Sequence, residues 1–230
     1  LNMSLKNLSA TIKIPKLLRN KLNNKRINLV YKKFEQSLNI NENFVVAVSG
    51  GPDSLALAFL AKIYSIRRKL SPKYLIVDHK LRPESTKEAK IVKKTLKKIS
   101  VNAKILTWKG KKPLKNIQSI ARKKRYDLLF SQCNKLKMKN LVLGHHVDDM
   151  FENFFIRLAR GSGLKGLTSL GAISQINSIN LLRPLIEFEK KDLIYIASNV
   201  FNFFVKDPSN INKDYKRTRI RALLHSLEKE

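Results

Sequence analysis

The segment with the most chemical content covers residues 49–54, which read Ser-Gly-Gly-Pro-Asp-Ser. An apolar run, Phe44–Val48, precedes it and a second apolar run, Leu55–Ala61, follows it, so the pattern predicts a strand, a tight turn and a helix. Backbone N–H groups at a helix start lack intrahelical partners, and two glycines let the backbone approach an anion closely. The segment therefore predicts a phosphate-binding loop formed by Ser49, Gly50, Gly51, Pro52, Asp53 and Ser54.

This loop differs from the kinase-type P-loop. No Lys followed by Ser or Thr comes after the second glycine, and an acidic residue, Asp53, stands there instead. A carboxylate beside phosphates is tolerable when Mg²⁺ bridges the two. A purely structural interpretation also exists, because Pro52 at the first helical position and Asp53 in the first turn favour a helix start in any protein.

A second cluster follows residues 141–143, where a short apolar run leads through Gly144 into residues 145–152. Helical spacing would place His145, Asp149 and Glu152 on one face, with Asp148 beside them. Adjacent carboxylates near a polyphosphate are costly unless they hold Mg²⁺ or orient a cationic substrate. The structural alternative is that one histidine satisfies a loop carbonyl while the acids face water.

Two further segments carry polar groups that suit a nucleotide. Residues 77–82 read Val-Asp-His-Lys-Leu-Arg, where the backbone could read an adenine ring and Arg82 could approach phosphates, unless the segment is only a strand cap. On a predicted helix, Arg122 and Tyr126 share one face. A guanidinium there could neutralise phosphate or developing charge, although a solvated charge run is the simpler explanation.

Alternating strands and helices must position these groups. Periodicity predicts strands at Phe44–Val48, Tyr74–Val77, Ala103–Trp108 and Leu141–Leu143, and helices at Asp53–Arg68, Ser85–Ile99, Ile117–Leu136, His146–Arg160, Lys190–Asn199 and Tyr215–Glu230. Residues 85–88, Ser-Thr-Lys-Glu, predict a capping box. This order indicates an α/β fold with a mostly parallel sheet and helices on both faces. A sheet of this kind binds ligands beyond the carboxyl ends of its strands.

We expect a basic, helical N-terminal extension over residues 1–40 and a catalytic domain over 41–230, with a helical part from about residue 186.

The charge of the chain predicts a polyanionic partner. Its 230 residues include 47 Lys and Arg against 17 Asp and Glu, a net charge of +30, which favours nucleic acid by counterion release and steering. Drift toward A/T-rich codons would also raise the lysine content.

The single cysteine, Cys133, excludes a disulfide framework, a Cys-based zinc site and an iron–sulfur cluster, and indicates a reducing, cytoplasmic location. No apolar run reaches the roughly 18 residues of a membrane span, so no membrane partner is expected.

Taken in order, the motifs resemble the N-terminal catalytic domain of the tRNA(Ile)-lysidine synthetases, which belong to the PP-loop ATP pyrophosphatases. The similarity runs from Phe44 to Arg221, and the most selective strings are Arg-Gly-Ser-Gly at residues 160–163 and Asp-Pro-Ser-Asn at residues 207–210. It also includes Leu-Leu-Arg-Pro-Leu at residues 181–185. Relatives of this kind often continue into further tRNA-binding domains, so the chain is expected to be a short family member or a fragment.

The resemblance implies a two-step reaction. ATP adenylates the C2 oxygen of the first anticodon cytidine of tRNA(Ile) with a CAU anticodon, releasing pyrophosphate; free L-lysine then attacks C2 and expels AMP. Residues 49–54 would hold the β- and γ-phosphates. The roles expected for the others are Mg²⁺ binding by Asp53 and Asp149, charge stabilisation by Arg122 and Arg183, lysine binding or proton acceptance by Asp148 and Glu152, catalysis by His146, and ATP binding by Val77, His79, Arg82 and Gly144.

Two alternatives stay open at this point. A tRNA thiolase of the same superfamily would normally need a cysteine pair or an iron–sulfur cluster, which one cysteine cannot supply. A non-catalytic, basic RNA-binding protein on the same fold would keep the charge without the chemistry. The oligomeric state is not predicted, and a homodimer is left open.

Overall fold

A six-stranded sheet forms the centre of the computed structural model, which describes residues 14–110, 113–163, 171–205 and 218–220. Its strands are β1 (Phe44–Val48), β2 (Lys73–Asp78), β3 (Ala103–Thr107), β4 (Asn140–Val142), β5 (Ile173–Ile176) and β6 (Ile179–Leu182). The order across the sheet is β3-β2-β1-β4-β6-β5. All neighbours pair in parallel except β5, which runs antiparallel to β6. The predicted α/β fold with a mostly parallel sheet is confirmed.

Helices cover both faces of this sheet. They are α1 (Lys16–Leu22), α2 (Lys25–Leu38), α3 (Pro52–Arg67), α4 (Ser85–Lys97), α5 (Ile117–Lys135), α6 (Val147–Leu158) and α7 (Lys190–Phe201). Alternation along β1 sends Val46 and Val48 into the larger core with α1 to α4 and α7, and Val45 into a second core with α5. Helix α3 is a near-continuous apolar run because it lies within the larger core, where 11 of its 16 residues are buried.

The N-terminal helices belong to the same core as the sheet. Leu18 of α1 and Tyr31 and Phe34 of α2 are buried in the cluster that contains Phe44 and Tyr64. The rings of Phe34 and Phe44 both meet that of Tyr64 edge-on, at centroid distances of 6.2 and 6.3 Å. The helical character predicted for residues 1–40 is therefore observed from residue 16 on, while the domain boundary near residue 40 stays a prediction.

The structure corrects the sequence-based expectation in two places. The β5–β6 hairpin was not predicted; its turn residues Asn177 and Ser178 have φ of 47° and 63°, a pair of left-handed residues that suits a two-residue hairpin. The predicted capping box at residues 85–88 was wrong. Ser85 is already helical, and its hydroxyl donates to Asp78 Oδ1 at 3.0 Å rather than capping the helix.

Some expectations fall on residues outside the described ranges. These are the Asp-Pro-Ser-Asn turn at residues 207–210 and most of the terminal helix predicted from Tyr215 to Glu230. Among the described helices, none combines the length and the apolar character needed to cross a bilayer.

Candidate active site

The glycine loop between β1 and α3 is held by the hydroxyl of Ser54. Its Oγ accepts from the backbone N–H groups of Ser49 at 3.1 Å and Gly50 at 3.0 Å, and it donates to the carbonyl of Gly51 at 3.0 Å. Ser54 is buried. Its hydroxyl therefore closes the turn that brings the start of α3 to the end of β1, where an anion can bind.

Neighbouring residues lie so close to Gly50 and Gly144 that both positions favour glycine. Gly50 has φ of +94°, and a Cβ there would lie 2.4 Å from Val92 Cγ2 and 3.1 Å from Val205 Cγ2. The carbonyl of Gly50 also accepts from the N–H of Val205 at 2.9 Å. A Cβ at Gly144, after β4, would lie 3.3 Å from backbone atoms of Asp53 and Ser54. The glycines thus let the loops after β1 and β4 meet.

An imidazole and three carboxylates lie where these loops meet. The Nε2 atom of His146 is 3.6 Å from Asp53 Oδ2 and 3.6 Å from Asp149 Oδ2, and its Nδ1 atom is 3.8 Å from Asp148 Oδ2. The N–H of His146 also donates to Asp149 Oδ2 at 3.2 Å, at the start of α6. The cluster joins the starts of α3 and α6, as the sequence predicted for Asp53 and Asp149.

The histidine in this cluster is not the one expected from helical spacing. His145 precedes α6, so the spacing rule does not apply to it, whereas His146 occupies the N-cap position and is only 2% exposed. The acids differ in access. Glu152 is fully buried, at 0% exposure, and the side chain of Asp148 is 45% exposed. Asp148 is therefore the carboxylate most open to an incoming cation.

The pKa of Asp53 is shifted by its burial and by the charged groups around it. Burial raises the pKa of its carboxyl; the charges of His146 and Lys190 oppose this effect, while Asp149 and Asp148 reinforce it. Its Oδ1 atom is buried without a hydrogen-bond partner among the described residues. A buried, unsatisfied carboxylate oxygen is the kind of atom that a cation completes.

Sequence reasoning missed Lys190. It is the half-buried first residue of α7, and its charge acts on Asp53. The loop before it is tied to α6, because the N–H of Val147 donates to the carbonyl of Phe188 at 3.4 Å. The only available signal was a Lys-Lys pair soon after Arg-Pro-Leu at residues 183–185, which does not separate a site lysine from a solvated one.

The segment after β2 is built around buried Asp78. Burial alone would raise its pKa, but hydrogen bonds from Thr86, the N–H of Lys80 and Ser85 hold the pKa below its usual value. Next to it, His79 Nε2 accepts from Arg125 Nε at 3.2 Å, and burial together with that charge lowers the pKa of His79 to about 4. His79 is therefore a neutral imidazole at pH 7.

The arginines proposed for the site have different surroundings. Arg82 Nη2 donates to Glu88 Oε2 at 2.9 Å, a partner that the sequence did not indicate. Arg122 is exposed and its guanidinium lies 5.1 Å from the ring centre of Tyr126, as the shared helix face predicted. Val77, the penultimate residue of β2, is half-buried.

Arg183 is buried, at 4% exposure, just beyond β6. It donates to the carbonyl of Gly171 at 2.8 Å and to Ser174 Oγ at 3.0 Å, while its Nε atom is buried without a hydrogen-bond partner in the described part of the chain. Burial lowers the pKa of Arg183, Tyr126 opposes the change and Arg122 adds to it. The two arginines are thus electrostatically coupled, and the β5–β6 hairpin positions one of them.

Curated relatives share extensive sequence with this chain. A tRNA(Ile)-lysidine synthase from Orientia tsutsugamushi (strain Boryong) is 42% identical over 187 residues, covering 81% of this chain and 42% of the relative. One from Wolbachia sp. subsp. Brugia malayi (strain TRS) is 41% identical over 186 residues, covering 80% and 43%. One from Bradyrhizobium sp. (strain BTAi1 / ATCC BAA-1182) is 37% identical, covering 80% and 52%. The chain spans about half the length of the relatives it matches, or less.

A solved structure with the same fold is the U34-tRNA thiolase NcsA from Methanococcus maripaludis with its [4Fe-4S] cluster. Its TM-score is 0.76 at 20% sequence identity, with 89% of this chain and 74% of that chain covered. A likeness at this identity concerns the fold.

The protein-family model of an ATP-binding PP-loop domain matches residues 20–227 of this chain. This span includes the glycine loop, the His146 cluster and Arg183. The chain belongs to the PP-loop domain family.

Proposed function

We propose that this chain is the catalytic part of a tRNA(Ile)-lysidine synthase. It would use ATP to activate the C2 oxygen of the first anticodon cytidine of tRNA(Ile) with a CAU anticodon, and would then join free L-lysine to C2. The observation that carries the proposal is the His146 cluster, which sets three carboxylates against a glycine loop suited to phosphate. The names of the curated relatives support the choice of substrates.

The glycine loop would bind the β- and γ-phosphates of ATP. The start of α3 supplies backbone N–H groups and the positive end of a helix dipole, and the glycine pair lets the backbone approach the phosphates. Lys190 adds a cation on the side of α7. Val77 and His79 lie at the end of the neighbouring strand, β2. The neutral imidazole of His79 is compatible there with the uncharged adenine of the nucleotide.

Asp53 and Asp149 would hold Mg²⁺. Two carboxylates fit this ion because it commonly keeps waters and phosphate oxygens as its other ligands, and the buried Oδ1 of Asp53 needs such a partner. Among the described residues, no three His, Cys, Asp or Glu side chains are placed so that all could ligate one ion, so phosphate oxygens and water would have to complete the coordination. When bound, the ion would neutralise charge on the phosphates.

In the first step, the C2 oxygen of the cytidine attacks the α-phosphorus and pyrophosphate leaves. Arg122 and Arg183 would stabilise the charge that builds on the base and the α-phosphate. In the second step, an amine of lysine forms a bond to C2, and AMP leaves with the former C2 oxygen. Asp148, the more exposed acid, would seat an ammonium group of lysine, and buried Glu152 would accept the proton that the attacking amine loses.

The test is incubation of the chain with ATP, Mg²⁺, radiolabelled lysine and a tRNA(Ile) transcript with a CAU anticodon. We expect label in the RNA and one pyrophosphate released per lysine incorporated. A transcript with uridine at the first anticodon position is the matched control and should give neither product. RNA binding without pyrophosphate release would instead favour a non-catalytic binding protein, and nucleotide-dependent sulfur incorporation would favour a thiolase.

A cytoplasmic location is part of the proposal, because tRNA and free lysine are the substrates of the proposed reaction.

A further inference from the structure

Helix α6 presents its apolar side chains outward. Its only buried residue is Glu152, while Met150, Phe151, Phe154 and Leu158 are 36%, 49%, 37% and 50% exposed. At 3.6 residues per turn these four side chains fall on one side of the helix, and Asp149 and Glu152 fall on the other. A surface helix normally buries its apolar side. The outer face of α6, defined by these four residues, is therefore an unpartnered apolar surface in the described part of the chain.

One of the aromatic rings on this face packs against a neighbouring ring. The ring of Phe154 meets that of half-buried Phe155 edge-on, with centroids 5.5 Å apart and an interplanar angle of 88°. This edge-to-face contact is a favourable one for aromatic pairs, and it leaves Phe154 37% exposed. Contiguous exposed apolar surface of this kind usually marks an interaction site.

We propose that the outer face of α6 is a stacking surface for unpaired RNA bases next to the reacting nucleotide. This inference rests on the proposed function, because it assumes that an anticodon loop enters the site. Single-stranded RNA is recognised largely by stacking its bases on aromatic side chains, beside cations that meet the phosphates. Phe151 and Phe154 supply the rings, the last turn of the helix carries Arg157, and exposed Arg160 follows the helix.

Charge and position favour RNA over other partners for this face. The net charge of +30 attracts a polyanion and repels a second copy of the chain. The same helix carries Asp149 into the His146 cluster on its opposite side, so a ligand on the outer face lies about one helix diameter, roughly 10 Å, from the reacting groups. Bases that flank the reacting cytidine would lie at this range.

The test is a double-mutant cycle between protein and RNA. The protein variant combines Phe151→Leu with Phe154→Leu, which keeps both side chains apolar and favours the helix but removes both rings. The RNA is an anticodon stem-loop of tRNA(Ile), either intact or with abasic sites flanking the first anticodon position. We expect either change alone to weaken binding about 5- to 50-fold at fixed salt. The two changes together should weaken it by much less than the product.

Matched controls separate stacking from other effects. Leu29→Ala alters an exposed apolar residue of α2 and should not change the affinity for the stem-loop. The slope of log affinity against log salt should be equal for the wild type and the Phe variant, because no phosphate contact is removed. The abasic RNA tests the stacking with wild-type protein, so the proposal stays testable if the variant is unstable.

Several outcomes would overturn the proposal. The first is equal affinity of the wild type and the Phe variant for the intact stem-loop, or additive losses in the cycle. Binding of the wild type to anionic vesicles, or self-association, with unchanged RNA affinity in the variant would assign the face to another partner. Pyrophosphate release by the wild type is measured in parallel. Normal release with no stacking effect would refute only the stacking surface, and a stacking effect without release would refute only the proposed reaction.

Discussion

The Nε2 atom of His146 lies 3.6 Å from the Oδ2 atom of Asp53, which connects the first turn of α3 to the N-cap of α6. The two residues are 93 positions apart in sequence and follow two neighbouring strands of the sheet, β1 and β4. This contact brings the phosphate loop and the acidic cluster into one site. It also places a half-buried carboxylate, whose Oδ1 atom is buried, where its charge is costly without a cation.

Replacing Asp53 should separate catalysis from folding. We expect Asp53→Asn to reduce pyrophosphate release by about 10²–10³-fold, because a group that organises charge at the phosphates is lost. Thermal stability should stay equal or rise, since burial disfavours the charged form of this carboxyl. Asp127→Asn on α5, whose side chain is 50% exposed, is the control and should change neither property. Near-normal turnover of Asp53→Asn would rule out the metal role.

The two glycines of the loop should respond differently to a methyl group. Gly50→Ala requires an L residue at φ +94° and drives Cβ to 2.4 Å from Val92 Cγ2, so we expect a lower melting temperature and little activity. In Gly51→Ala, Cβ would meet only Ser49 Oγ at 3.9 Å. That variant should fold normally, and any rise in its Kd for ATP reports close approach of the nucleotide. Equal melting temperatures of the two variants would contradict the packing described for Gly50.

Cys133 should be dispensable for the reaction. It is fully buried beside Leu129 in the second core, and burial raises the pKa of its thiol to about 11, so the thiolate is scarce at pH 7. We expect Cys133→Ala to keep activity within a few-fold. Cys133→Ser should unfold more easily, by roughly 1–2 kcal/mol, because it buries a hydroxyl among apolar groups. Complete loss of activity in a folded Cys133→Ala protein would support the thiolase alternative.

The parts of the site that could be predicted from sequence are those fixed by strand order. Residues after β1, β2 and β4 had to meet at one edge, because parallel strands place their carboxyl ends together. That rule was enough to bring Asp53 and Asp149 into one cluster. Local propensity also predicted most helix bounds to within a few residues, as at Ile117–Lys135.

The features that were missed depend on contacts between distant segments. Ser85 bonds to Asp78 instead of capping its own helix, and Lys190 acts on Asp53 across the site; neither relation leaves a periodic signal in the chain. The His145 assignment failed because helical spacing was extended to a residue that precedes α6. The β5–β6 hairpin could have been found from the Asn-Ser pair at residues 177–178, which stands between two short segments that contain isoleucine.

His79 should make the fold sensitive to acid. Its pKa falls from 6.5 to about 4, first because of burial and then because of the charge of Arg125. As pH falls through this interval, the unfolded chain binds a proton that the folded chain does not, so stability decreases between pH 6.5 and 4. We expect a larger loss over this window in wild type than in His79→Gln, measured from urea midpoints. An NMR titration of Arg125→Gln should show the pKa of His79 higher, yet still below 6.5.

Lys190 and Lys191 offer a matched pair for testing the α7 side of the site. Lys190 is half-buried and its charge acts on Asp53, whereas the adjacent Lys191 is exposed and pairs with Glu189. If Lys190 meets the phosphates of ATP, Lys190→Gln should lower pyrophosphate release by about 10²-fold or more. Lys191→Gln should stay within a few-fold, although both variants lose one positive charge and reduce general attraction to tRNA equally. Because the net charges match, tRNA affinity serves as the internal reference, measured at one salt concentration for both. Equal turnover in the two variants would show that the charge of Lys190 acts on Asp53 without contributing to the reaction.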